Sequence, residues 1–280
     1  MRRPAGTDFV EIRGTRLALA ELVDARLFDP AHRAALCDEL RAAKPFEHIV
    51  VDGWFHPALL RLVREEFDLY PFRDERDLDR AYEETVRSPR NPVLGPAGQI
   101  YFGLVNSGWF VEVLASITQV PELIADTSLH NGGLHESRRG GKFAVHRDFE
   151  RSTCTGLENR MVLLTYLNED WDPAWNGALE LWDVDRSRCV RRIEPVFGRS
   201  VLMRNGATHF HGHPTPLSLP EGRVRRSLAT YYYTNTDSNG HPRGRTSSVY
   251  LFLARSDRLR LWARQLTPPI VWEALKRWLR

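Results

Sequence analysis

The stretch FAVHRDF, residues 143–149, sets His146 and Asp148 two positions apart in a strand-like run. Strand side chains alternate between faces, so an imidazole nitrogen and a carboxylate oxygen share one side while Arg147 points away. Alone, such a pair fits a surface hydrogen bond as well as a metal site. Downstream, THFHGHPTPL places His209, His211 and His213 at alternating positions, and Arg225 opens the run RRSLATYYYT. Two histidines and one carboxylate form the facial triad used for non-haem iron(II), which leaves coordination positions open for cosubstrate and dioxygen. Zinc accepts a similar set, so the arginine bears on the choice. Its planar fork binds a carboxylate bidentately in a partly dry pocket. Parity puts Arg225, Ser227, Ala229 and Tyr231 on one face and Arg226 on the other, an assignment that a bulge would reverse.

The elements that must position these groups are legible in outline. FVEIRGTRLALA alternates enough for one or two short strands. DPAHRAALCDELRAAKP has helix punctuation, with Asp29 as cap, Pro30 in the first position and Pro45 as a stop. EHIVVDGWF reads as a strand leading into the helical HPALLRLVREEF. Residues 70–105 read as loops with one short helix over 76–86, followed by a helix in SGWFVEVLASITQ. After Pro121 short β-rich runs follow: FAVHRDF, RMVLLTYLN, GALELWD, RCVRRIEPV, SVLMR and RRSLATYYYT. Their spacing predicts an antiparallel sandwich or barrel. The C-terminal LRLWARQL and PPIVWEALKRWLR are amphipathic and are expected to pack on this core or across a homodimer.

Taken together, HRD, TYLNEDWDPAWNGALELWD, FHGHPTPL and GRVRRSLATYYYT resemble the 2-oxoglutarate/iron(II)-dependent dioxygenases of the prolyl 4-hydroxylase-like branch. The resemblance runs from about Pro45 to Thr236, and PFEHIVVDGWFHPALLRLVREEF is similar to the branch's opening strand and helix. It implies a mostly β, α+β fold: a double-stranded β-helix of jelly-roll type with flanking helices. It further implies His146, Asp148 and His211 as iron ligands, with His213 the competitor for the distal place. Arg225 would anchor the far carboxylate of 2-oxoglutarate, helped by Tyr166 and Ser227. Val162, Leu164, Leu179, Tyr231, His213 and His135 would line the pocket, although plain core packing, or for His135 an idle loop position, suits these as well. His209 is expected to support its strand. The implied reaction consumes dioxygen, with ascorbate as a candidate reductant, and hydroxylates a C–H bond while releasing succinate and carbon dioxide. Asp148 argues against halogenation, because halogenases of this superfamily replace that carboxylate with a small residue.

Bulk properties bound the alternatives. A chain of 280 residues suits one large domain with helical additions as well as two small ones. The expected division is an extension over 1–44, the dioxygenase domain over 45–237 with its β-core from about residue 122, and a helical tail over 238–280. A formal charge of +3 without a long basic run gives no reason to expect nucleic acid. Neither a signal peptide nor a membrane segment is expected. The three cysteines, Cys37, Cys154 and Cys189, have neither CxxC spacing nor a disulfide framework, so a cytoplasmic location is expected. The expected substrate is an amino-acid-like or natural-product small molecule. A peptidyl-prolyl substrate is the alternative, and a cupin-like metalloprotein without cosubstrate or a binding scaffold are the rivals of another class. Arg138, Arg139 and Lys142 near the mouth slightly favour an acidic substrate.

Overall fold

Strand β8 (Glu158–Tyr166) is apolar at nearly every position through MVLLTY, so both its faces must be covered. Met161 and Leu163 point into one hydrophobic cluster, shared with the helices. Val162, Leu164 and Tyr166 point into a second cluster, between two sheets. This computed structural model describes residues 8–69, 85–235 and 248–250.

Among the described residues the larger of these two sheets has seven strands and the smaller five. The order in the larger is β3 (His48–Asp52), β11 (Arg199–Arg204), β8, β13 (Arg225–Thr234), β6 (Gly133–Ser137) and β4 (Thr85–Arg87), with β5 (Ile124–Ala125) also against β13. The order in the smaller is β10 (Cys189–Ile193), β9 (Leu179–Trp182), β12 (Phe210–His213), β7 (Phe143–Arg147) and β14 (Val249–Tyr250). Every pairing between these strands is antiparallel. Leu179, Leu181 and Ile193 of the smaller sheet meet Val162, Val201 and Tyr231 of the larger, which makes the expected jelly-roll core.

Four helices cover the outer face of the larger sheet: α1 (Pro30–Ala42), α2 (Pro57–Leu69), α3 (Pro96–Val105) and α4 (Gly108–Thr118). Asp29 caps α1 by accepting from the Ala31 N–H at 2.9 Å, with Pro30 in the first turn as expected. Cys37 is buried as a small apolar filler. A hairpin of β1 (Phe9–Ile12) and β2 (Thr15–Ala18) precedes them, and its Ile12 and Leu17 enter the same cluster as the helices. Among the described residues no single helix is long and apolar enough to cross a membrane.

Three expectations need correction. The region 70–105, read as loops, contains α3; Gly98 and Gly103 obscure its apolar residues in sequence. Gly98 has a packing reason, because its N–H and that of Ala97 donate to Glu66 of α2 at 2.7 and 2.8 Å. A Cβ there would come within 3.2 Å of Glu66 Oε2. Thr85 and Val86, assigned to a short helix, are in strand β4, and the rest of that segment lies outside the described residues, as do the C-terminal helices. The β-core begins before residue 122, since β3 and β4 both join the larger sheet.

Glu66 is buried, also pairs with Arg13 at 3.1 Å, and places a negative charge at the start of α3. Glu66→Ala strands two buried N–H groups, and we expect the unfolding free energy to fall by about 2–4 kcal/mol in urea titrations.

Candidate active site

The pairing of β12 with β7 sets His211 directly opposite His146. Asp148 follows the end of β7 and turns back beside both rings. His146 Nε2 lies 3.4 Å from Asp148 Oδ1, and His211 Nε2 lies 3.8 Å from Oδ2. The three residues each offer a ligand atom, all within 4.8 Å of one another, so a His-Asp-His metal-binding triad is present. His146 Nδ1 donates to the Ala144 carbonyl at 2.8 Å, which puts the ring proton there and leaves the Nε2 lone pair facing the triad. His211 makes a longer version of this bond, 3.4 Å to the His209 carbonyl. Burial, then the neighbouring His146, lowers the His211 pKa to about 4, so the imidazole stays neutral and able to bind a metal. Burial alone would raise the Asp148 pKa, but the neighbouring His146 and His211 rings and the Tyr231 hydroxyl bring it below the usual value. Asp148 is therefore ionised.

Gly212 makes this pairing possible. A Cβ on it would lie 2.8 Å from the carbonyl oxygens of both Phe143 and Ala144. The ladder shifts register between His211 and His213, so that His213 pairs with Phe143. That shift breaks simple alternation. Phe143 accordingly stacks on the His146 ring at 4.1 Å, on the face that alternation denies it.

Arg225 opens β13 from the far side of the same cavity, only 5% exposed. Its Nε donates to the Gly177 carbonyl at 3.0 Å, and its guanidinium carbon lies 5.1 Å from the centre of the Tyr166 ring. No carboxylate pairs with it among the described residues. A buried guanidinium without a counter-anion is costly, and its charge is not lost at neutral pH even though burial lowers its pKa. Among the described residues two more buried polar atoms of this cavity have no well-aligned hydrogen-bond partner, His213 Nδ1 and the Tyr166 hydroxyl, which lies beside the Arg225 guanidinium. Burial raises the Tyr166 pKa against the opposing pull of Arg225, so the phenol remains a donor. Cation and donors together fit a small dicarboxylate with one end at Arg225 and the other at the triad.

The cavity is partly open to solvent and is lined by every residue named from sequence as ligand, cosubstrate contact or pocket wall. Arg226 faces away, paired with Glu136 and Asp68 over the Phe67 ring. His209 stacks on Phe46 at 4.6 Å and donates to the Arg204 carbonyl, supporting its strand. His135, considered as a loop residue, lies on β6 opposite Ser227 and Arg87, with an unpartnered Nε2. Sequence reading missed Thr85, Phe143 and Tyr250, whose ring sits 5.3 Å from His146. Phe143 was hidden by the register shift. Thr85, which bonds Ser137 at 2.8 Å, was hidden by its assignment to a helix. Arg138 and Arg139 line a separate cleft with Pro220 to Val224, where Arg138 pairs with Glu136.

Residues 132–234 match a family model described as the 2OG-Fe(II) oxygenase superfamily. This region is a 2OG-Fe(II) oxygenase domain. Its span runs from β6 through β13 and takes in His146, Asp148, His211 and Arg225. The oxygenase's cofactors are therefore iron(II) and 2-oxoglutarate, and the donor set of the triad suits iron(II). No curated protein matches the chain. Among solved structures, a Pseudomonas putida prolyl-4-hydroxylase is 21% identical with a TM-score of 0.50, covering 72% of this chain and 98% of its own. A Burkholderia pseudomallei oxidoreductase of the 2OG-Fe(II) oxygenase family is 14% identical with a TM-score of 0.48, covering 72% and 89%. HygX from Streptomyces hygroscopicus, with nickel, 2-oxoglutarate and hygromycin B bound, is 15% identical with a TM-score of 0.46, covering 68% and 83%. At its identity the likeness to the prolyl-4-hydroxylase is one of fold, the double-stranded β-helix.

Two outcomes are expected for the oxygenase. Gly212→Ala should separate β12 from β7 and abolish metal binding, read by isothermal titration, while circular dichroism keeps its β signal. The second concerns pH. Burial, then Arg87, lowers the His135 pKa to about 3, and burial lowers that of His48. Above pH ~6.5 neither contributes; below it the unfolded chain takes up protons that the folded form refuses, so stability falls. The melting temperature of the metal-free protein should decline from pH ~6.5 to ~5, less steeply in His135→Gln.

Proposed function

We propose that the chain hydroxylates an unactivated C–H bond of an amino-acid-like or natural-product small molecule. His146, Asp148 and His211 hold the iron, and Arg225, Tyr166 and Ser227 hold 2-oxoglutarate. The observation that carries this reading is the buried Arg225, which has no carboxylate partner among the described residues and faces the His-Asp-His cluster across one cavity. When bound, iron(II) and 2-oxoglutarate supply the oxidation: one atom of dioxygen ends in succinate, with loss of carbon dioxide, and the other in the substrate's new hydroxyl.

The protein's share is binding, orientation and exclusion of water. Nδ1 of His146 keeps its proton by donating to the Ala144 carbonyl, and Nε2 is so held as a lone-pair donor. The Arg225 fork and the protonated Tyr166 hydroxyl bind the far carboxylate of the cosubstrate. Val162, Leu164 and Leu179 form apolar walls along its length and limit access of water to the reacting carbon.

The test is a succinate-release screen over amino acids, peptides and small metabolites, with product mass reporting the added oxygen. Succinate release coupled only to prolyl peptides would sink the small-molecule reading, and none from any substrate would sink the oxygenase role of the site. Asp148→Ala and His146→Ala should each eliminate iron(II) binding in equilibrium dialysis. Arg225→Gln should keep the metal but weaken 2-oxoglutarate by about 30–150-fold, the value of roughly 2–3 kcal/mol in charge-assisted hydrogen bonds.

A further inference from the structure

Tyr231 on β13 donates its hydroxyl hydrogen to Asp148 Oδ2 at 3.3 Å, and both side chains are buried. The phenol ring is fixed from two directions. Its strand register sets it opposite Val162 of β8, and Phe149 packs against it with ring centroids 5.0 Å apart. Asp148 has no such support of its own. It follows the last residue of β7, where among the described residues no ladder partner fixes the backbone that carries it. A carboxylate in that position is free to turn and offer either oxygen, or both, to a metal.

The two oxygens are not equivalent here. Oδ1 faces His146 Nε2 at 3.4 Å, whereas Oδ2 receives the Tyr231 hydroxyl and is the oxygen nearer His211. We infer that Tyr231 is a positioning residue, whose hydroxyl holds Oδ2 and so presents Oδ1 as the metal-binding oxygen of Asp148. The phenol is suited to this task because it is mounted on the sheet opposite the one that carries β7 and β12. The position of the carboxylate is thereby set by the distance between the two sheets rather than by the loop that follows β7. Partners of this kind typically change metal affinity by 10–100-fold when removed.

The strand supplies its own comparison. Tyr233 shares the face of Tyr231, lies 6.5 Å from the same Phe149 ring, and gives its hydroxyl to a different carboxylate, Asp126 Oδ2, at 3.2 Å. Losing either hydroxyl removes one buried phenol–carboxylate hydrogen bond, but only Tyr231 touches the triad.

The inference rests on the proposed assignment of the triad as the iron site, and its test needs no turnover. Co(II) is titrated calorimetrically into the metal-free forms of the wild-type protein, Tyr231→Phe, Tyr233→Phe and Asp148→Ala. We expect Tyr231→Phe to weaken Co(II) by about 10–100-fold and Tyr233→Phe to match the wild type, with similar melting temperatures for the two phenylalanine variants. Wild-type affinity in Tyr231→Phe would overturn the role of Tyr231 and leave the triad standing. An equal loss in both phenylalanine variants would overturn it as well, as a general effect of removing a buried hydroxyl. If wild type and Asp148→Ala bind Co(II) alike, the metal site itself falls and the role of Tyr231 with it.

Discussion

The site depends on the close approach of two short strands. β12 and β7 meet with His211 opposite His146, and only a residue without a side chain fits at the next position, where two carbonyl oxygens crowd the Gly212 α-carbon. That contact brings two ligands from distant parts of the chain within reach of one ion. It also forces the register shift that turns His213 and Phe143 into the cavity. The distal histidine, the unpartnered His213 and the aromatic wall beside His146 are thus consequences of one backbone approach rather than separate features.

The larger sheet gives this arrangement something rigid to lean on. β8 and β13 are covered on both faces, by helices on one side and by the smaller sheet on the other. Behind Tyr166, a buried chain of hydroxyls runs from Tyr101 of α3 through Thr165 of β8 to Ser200 of β11 at 2.8 and 3.0 Å. Each of these groups satisfies the next, so the helical layer is tied to the strand carrying the cosubstrate wall without leaving a polar atom stranded. Residues 8–44, set apart in sequence as an extension, contribute Ile12, Leu17, Leu27 and Leu40 to the same cluster.

Much of this was legible in sequence because alternation is a local signal. His146, Asp148, Arg225, Ser227 and Tyr231 share their expected faces, and Arg226 points outward to Asp68 and Glu136 as parity requires. What was hidden lies where a tertiary contact overrides the local pattern. α3 carries two glycines that lower its helical signal, one of which exists to admit the Glu66 carboxylate. Phe143 violates parity because of a partner strand far along the chain. β6 looked like a glycine-rich loop, yet β13 and β4 hold it as a strand and so aim His135 inward.

The bond from Arg225 to the Gly177 carbonyl has a thermodynamic consequence for cosubstrate capture. An arginine loses much rotamer freedom when it is clamped onto a ligand, and that loss ordinarily weakens association. Here folding has already oriented the fork, since Nε is tethered and the guanidinium is stacked against Tyr166. Capture then resembles a plug entering a fitted socket, with little reorganisation left to oppose it. A surface arginine of identical charge, free to swing through solvent, would hold the same anion less tightly for reasons of entropy alone.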